Sequence, residues 1–131
     1  MSESPSPVDH PVAEPFFQAA AEGRLVVQHC NSCDALRWPP LSGCPECRSR
    51  DTTWVEVAPA GTIWSFVVYH RAFSRSLKDQ IPYTVAMVQL DEGPYLVGRL
   101  VEGKKPPKVG DRVDAEFLEV GGVSTVRWRI A

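Results

Sequence analysis

The stretch Cys30-Asn31-Ser32-Cys33-Asp34-Ala35-Leu36-Arg37-Trp38-Pro39-Pro40-Leu41-Ser42-Gly43-Cys44-Pro45-Glu46-Cys47 decides the first half of the fold. It holds two Cys-x-x-Cys pairs, Cys30/Cys33 and Cys44/Cys47, with ten residues between the pairs. Two residues between cysteines let one tight turn aim both sulfurs at a single ion. Two such turns make the closed tetrahedron of thiolates typical of structural zinc. The reading is therefore a zinc ribbon with Cys30, Cys33, Cys44 and Cys47 as ligands of a structural Zn2+. Iron in a four-thiolate redox centre uses the same ligand set, and spacing leaves it open. Four cysteines leave no free position for a catalytic metal. His29, next to Cys30, reads as a strand histidine rather than a substitute ligand. Arg37, Arg48 and Arg50 stand close enough in sequence to offset the negative charge of the thiolates.

On the N-terminal side, Leu25-Val26-Val27-Gln28 is a short strand running into Cys30. Before it, Pro15 at a first-turn position opens a short helix over Phe16-Phe17 and Ala19-Ala20-Ala21, which Gly23 stops. So short a helix is marginal alone and needs a docking surface. Residues 1–13, rich in Pro and Ser, read as a flexible arm. On the C-terminal side, strands are expected over residues 52–57, 62–70, 83–90, 95–101, 112–119 and 124–130, with Pro59-Ala60-Gly61 as a turn. The last two alternate cleanly. Val113, Ala115 and Phe117 oppose Arg112, Asp114 and Glu116, and Val126, Trp128 and Ile130 oppose Thr125, Arg127 and Arg129. Gly121-Gly122 between them reads as a hairpin turn. The fold class is mainly β. The expected divisions are an arm over 1–13, helix and ribbon over 14–57, and a closed or nearly closed five-stranded barrel over 58–131.

The chain has 131 residues, of which 44% are hydrophobic and 23% charged, values that exclude a disordered or fibrous protein. Net charge is −2 and the pI is near 5.9, which speaks against nucleic acid binding. The charge is uneven. Residues 1–23 carry four acids and no Lys or Arg, whereas residues 24–131 carry all 14 basic residues and 12 acids. The N-terminus lacks the basic start and apolar run of a secretion signal, and no stretch approaches a membrane span. A cytoplasmic location is expected, where paired cysteines are metal ligands rather than disulfides.

The order of short helix, four-cysteine ribbon and small barrel resembles the DUF35 family, a rubredoxin-like zinc ribbon followed by an OB-fold. The resemblance runs over about residues 14–131. It rests on Phe16-Phe17 with Glu22-Gly23-Arg24-Leu25, the two cysteine pairs, Trp38-Pro39-Pro40 and Gly61-Thr62-Ile63-Trp64-Ser65-Phe66. It continues in Ile81-Pro82-Tyr83, Val88-Gln89-Leu90-Asp91-Glu92-Gly93 and Val109-Gly110. One departure is Ala35, where the first turn often continues with glycine. The resemblance implies an accessory, non-catalytic subunit of a thiolase-like, aldolase-like or hydratase acyl-CoA enzyme. Such complexes serve steroid side-chain, aromatic or fatty acyl-CoA metabolism. It also implies a hetero-oligomer in which this subunit activates the enzyme and in some cases helps bind the CoA thioester.

The residues themselves display no catalyst. There is no nucleophile elbow and no phosphate loop, and every cysteine is assigned to the metal. The loop after the long strand places His70, Arg71, Arg75 and Lys78 around Phe73 and Leu77, a mixture suited to coenzyme A phosphates and its apolar arm. The same loop also reads as a barrel loop whose apolar residues pack inward. Trp38 is a further candidate for ligand or partner contact, or else a cap over the ribbon's small core. Two other functions use the same architecture. One is a single-stranded nucleic acid module with stacking aromatics on the long strand, and the other is a rubredoxin-like iron electron carrier.

Overall fold

The computed structural model describes residues 12–72, 75, 78–101, 103 and 105–131. Most of the expected arm, and Phe73 and Leu77 of the basic loop, lie outside these residues. The elements in chain order are α1 (Glu14–Ala21), β1 (Leu25–Cys30), β2 (Leu36–Arg37), β3 (Thr52–Val57), β4 (Ala60–Tyr69), β5 (Tyr83–Leu90), β6 (Tyr95–Leu100), β7 (Arg112–Val120) and β8 (Val123–Ile130). The first three strands form an antiparallel sheet in the order β2-β1-β3. The last five close into a barrel, β4-β5-β6-β8-β7, with β7 returning to β4 and a short parallel contact between β6 and β8. This is the five-stranded OB-fold.

The helix joins the two halves. Phe16, Ala19 and Ala20 are buried on one face, and α1 packs against β1 of the ribbon and against β7 and β8 of the barrel. Its end is a glycine cap: Gly23 has φ +76°, and the Arg24 N–H donates to Ala19 O at 2.9 Å. In the ribbon, Leu25 pairs with Val57 and Val27 with Val55 across β1 and β3. Alternation puts these on one sheet face, continuous with Phe16 and the barrel core. In the barrel, Ile63, Val88, Leu90, Val113 and Trp128 are fully buried. The alternating pattern of the last two strands therefore points as expected, with Trp128 at the centre. The hairpin joining them holds Gly121 at φ +60° and Gly122 at φ +82°, the doubly positive turn that matches strand twist.

Two elements differ from the sequence reading. The two-residue β2 was not expected; its Leu36 and Arg37 pair with His29 and Gln28 because the chain after the first cysteine turn runs back along β1. Ala60 and Gly61, expected in a turn, instead begin β4. There they pair with β7, and Gly61 also registers with Leu90 of β5, so the barrel closes at this point. A Cβ on Gly61 would lie 2.3 Å from Gln89 O and 2.7 Å from a Val88 methyl. Glycine is required for close passage over a neighbouring backbone, not for a turn. Nearby, Arg112 grips both Asp91 carboxylate oxygens at 2.6 and 3.0 Å, and this hydrogen-bonded pairing lowers the Asp91 pKa.

Replacing Gly61 with alanine is expected to destabilise by about 3 kcal/mol, because its contacts are fixed backbone and a packed valine. The check is a thermal melt followed by circular dichroism, with a Tm drop of more than about 10 °C predicted.

Candidate metal centre

The two cysteine turns are built alike. In the first, the Asp34 N–H donates to Cys30 O and the Cys30 N–H to Ala35 O, at 2.8 and 2.9 Å. In the second, the Arg48 N–H donates to Cys44 O and the Cys44 N–H to Ser49 O, both at 2.8 Å. The residue after each second cysteine, Asp34 or Arg48, is left-handed with φ 64°. Asp adopts that conformation readily, and Arg does so with strain. The missing glycine at Ala35 therefore does not disturb the turn. The left-handed position falls on Asp34, and the Ala35 N–H hydrogen-bonds to the Cys33 sulfur.

This symmetry brings four sulfurs together. Cys30 Sγ lies 3.5 Å from Cys47 Sγ and Cys33 Sγ lies 3.7 Å from Cys44 Sγ. All four are within 4.8 Å of one another. A tetrahedral zinc with bonds near 2.3 Å separates its sulfurs by about 3.8 Å, so the donor set fits one such ion. Cys30 and Cys44 are buried, while Cys33 and Cys47 face outward. Backbone N–H groups of Cys33 and Ser32 hold the Cys30 thiol down at about 6, and those of Cys47 and Glu46 lower Cys44. At Cys33 the Ala35 N–H pulls down, but the Cys30 sulfur, burial and the remaining sulfurs push the thiol up to about 12. At Cys47 the Ser49 N–H pulls down, but the Cys30 sulfur, burial and the Cys44 sulfur raise the thiol. A divalent cation replaces the protons these crowded sulfurs otherwise share.

Of the three arginines near the cysteines, Arg48 and Arg50 are exposed and Arg37 is buried at 7% exposure. Arg37 sits on β2, yet its Nη2 donates to Thr52 Oγ1 on β3 at 2.7 Å and to Leu41 O at 3.3 Å. The side chain therefore crosses the face of β1 that carries Gln28, its register partner, and Cys30, the register partner of Thr52. Arg37 Nε and Nη1 have no hydrogen-bond partner, and no carboxylate pairs with it among the described residues. A buried cation needs a counter-charge, and a divalent ion with four thiolates is a dianion. His29 does not join the sulfurs. It hydrogen-bonds Asn31 and faces Asp34.

The remaining candidates do not form one site. Trp38 packs on Phe16 with ring centroids 4.3 Å apart and lies partly buried against the core cluster. Its other side lines a hollow of about 490 Å3 with Leu36, Arg37, Pro94 and Tyr95, at the β5–β6 turn. His70, Arg71, Arg75 and Lys78 are exposed in the β4–β5 connection. That connection lies at the other end of β5, about 25 Å away along the strand. Phe73 lies outside the described residues. A second hollow, of about 300 Å3, opens at this far end between Tyr83, Arg99 and Lys105. Arg99 caps the Tyr83 ring at 4.7 Å, and Tyr83 stacks on Tyr69. Sequence reasoning missed Arg99, because nothing in its local pattern marks it as neighbour to a loop some twenty residues earlier. Among the described residues, no helix is long and apolar enough to cross a membrane.

A family model described as the rubredoxin-like zinc ribbon domain of ChsH2 matches residues 17–53, and one for the C-terminal OB-fold domain of ChsH2 matches residues 54–118. A probable enoyl-CoA hydratase alpha subunit of Thermomonospora curvata is 43% identical over 106 residues, covering 79% of this chain and 32% of that protein. The chain thus spans about a third of that relative's length. A DUF35 domain-containing scaffold protein of Methanothermobacter thermautotrophicus is 30% identical over 98 residues, 73% of each chain. In the solved structure of the Ltp2-ChsH2(DUF35) aldolase, one chain superposes with a TM-score of 0.82 at 34% identity. The match covers 92% of this chain and 95% of that one.

Purified protein is expected to carry one zinc per chain, and Cys30→Ser to lower that ratio below one by elemental analysis while loosening the ribbon. Arg37→Met is expected to weaken zinc binding about tenfold in competition with a chelator. Arg48→Met and Arg50→Met, at exposed positions, should change it by less than about twofold.

Proposed function

This chain belongs to the DUF35 family of zinc-ribbon and OB-fold proteins, and on that premise we propose that it is a non-catalytic accessory subunit of an acyl-CoA enzyme. It binds a thiolase-like, aldolase-like or hydratase-like subunit and holds that subunit in its active state. The observation that carries the reading is the match over nearly all of a chain whose solved structure is named as an Ltp2-ChsH2(DUF35) aldolase. The relative named as a hydratase alpha subunit supports the same class of partner.

The site chemistry agrees. The four sulfurs face one another around one centre, so a thiol nucleophile for thioester chemistry comes from the partner. The metal, when bound, supplies a fixed tetrahedral crosslink between the two turns. The subunit also helps hold the CoA thioester. Support for this comes from the hollow beside Tyr83, Arg99 and Lys105 and from the cations of the adjoining loop. Guanidinium and ammonium groups suit the CoA phosphates.

Co-expression with an acyl-CoA enzyme subunit from the same host tests the assignment. The two proteins are expected to elute together by size exclusion. Separate elution, with full enzyme activity in the absence of this chain, contradicts it. For the CoA contact, Arg75→Ala with Lys78→Ala is expected to raise the KM for acyl-CoA several-fold at unchanged kcat.

A further inference from the structure

The run Ile63-Trp64-Ser65-Phe66-Val67-Val68-Tyr69 is apolar on both faces of β4, as strands covered on both sides are. One face fills the barrel. The other is left open among the described residues: Trp64 is 56% exposed, Val67 53% and Val97 53%. Strand register makes these residues a continuous patch rather than scattered side chains. Val67 stands opposite Val85, Ser65 opposite Met87 and Met87 opposite Val97. Between them runs a shallow groove of about 210 Å3. Trp64 packs edge-on against Tyr95 at one end, and the Tyr69–Tyr83–Arg99 stack borders the other. Among the described residues, no charged residue lines the groove. Apolar side chains framed by Trp, Tyr, Met and Arg are the composition of an interface core.

The geometry points to this outer face of β4-β5-β6 as the seat of the acyl-CoA enzyme subunit, an inference that rests on the proposed function. Two observations choose that occupant. β5, at the middle of the patch, is paired on both edges over residues 85–89, with β4 on one side and β6 on the other, so no β-strand can be added there. The occupant therefore meets the face with side chains of a folded surface. The patch is also small. Three strands about 4.8 Å apart and five residues long cover about 250 Å2, so two copies face to face would bury about 500 Å2, well under the ~1,200 Å2 a stable dimer needs. A lasting contact must extend beyond the patch. The ground beyond its Tyr69 end is the basic hollow of Arg99 and Lys105. An enzyme seated on the apolar face thus has its CoA phosphates beside those cations.

The test uses the full-length zinc-loaded chain and the acyl-CoA enzyme subunit that co-purifies with it. Val67→Glu combined with Val97→Glu is expected to weaken their binding about 100-fold by titration calorimetry. Val120→Glu, also exposed but at the β7–β8 hairpin, should leave it unchanged. Zinc content and circular dichroism check that the double variant is folded. Independently of any variant, hydrogen exchange on the wild-type complex should slow over residues 64–69, 85–89 and 95–99. Full-strength binding by the folded double variant, or no slowing at these strands, overturns the placement and leaves the accessory role standing. A chain that dimerises alone, and whose dimer the double variant dissolves, assigns the face to a second copy and also overturns it. A wild-type chain that binds no acyl-CoA enzyme overturns the accessory role and the placement together.

Discussion

The structure depends on the burial of one strand on both faces. Along β1, Leu25 and Val27 point to the core shared by α1 and the barrel, while Gln28 and Cys30 point to the metal side. The Gln28 amide donates to Leu41 O and accepts the Leu41 N–H, tying down the segment that leads to the second cysteine turn. A strand buried on both sides has no freedom to shift register, since a one-residue slip would exchange the two faces. The position of Cys30, and with it the geometry of the sulfur cluster, is therefore set by hydrophobic packing against the other half of the molecule.

That coupling explains the division of the molecule into two ends and one face. The metal end fixes the ribbon, and the ribbon fixes the helix that packs on β7 and β8. The barrel then projects its β4–β5 connection about 25 Å from the ribbon side of the same strands. Between the two ends lies the apolar outer face of β4, β5 and β6. A crosslinked ribbon and a closed barrel describe a fold whose shape is settled before any association. Pre-organisation of this kind lowers the entropic cost of association.

Much of this was legible in the sequence because it is written in strong local patterns. The cysteine spacing, the alternation over residues 112–130 and the Gly121-Gly122 turn each have a short-range physical cause, and each stands as expected. What was not legible depends on contacts distant in sequence. Gly61 read as a turn residue because its chemistry is that of turns, yet its role is close passage over Gln89. Arg37, Arg48 and Arg50 look alike in sequence, and only the cross-strand reach to Thr52 singles out Arg37. The separation of the basic loop from Trp38 is a matter of strand direction, which puts them at opposite ends of β5. The bare outer face was hidden because an apolar strand reads the same whether its second face meets its own chain or another.

Under the proposed function the chemistry belongs to a partner and the activation to this chain. That division is tested most directly by titrating the acyl-CoA enzyme subunit with the zinc-loaded chain and following thioester turnover. The expected result is negligible turnover by the chain alone and a saturable rise in the enzyme's kcat that levels at a fixed stoichiometry. Turnover by the chain alone, or an enzyme rate that does not change with added chain, would contradict it.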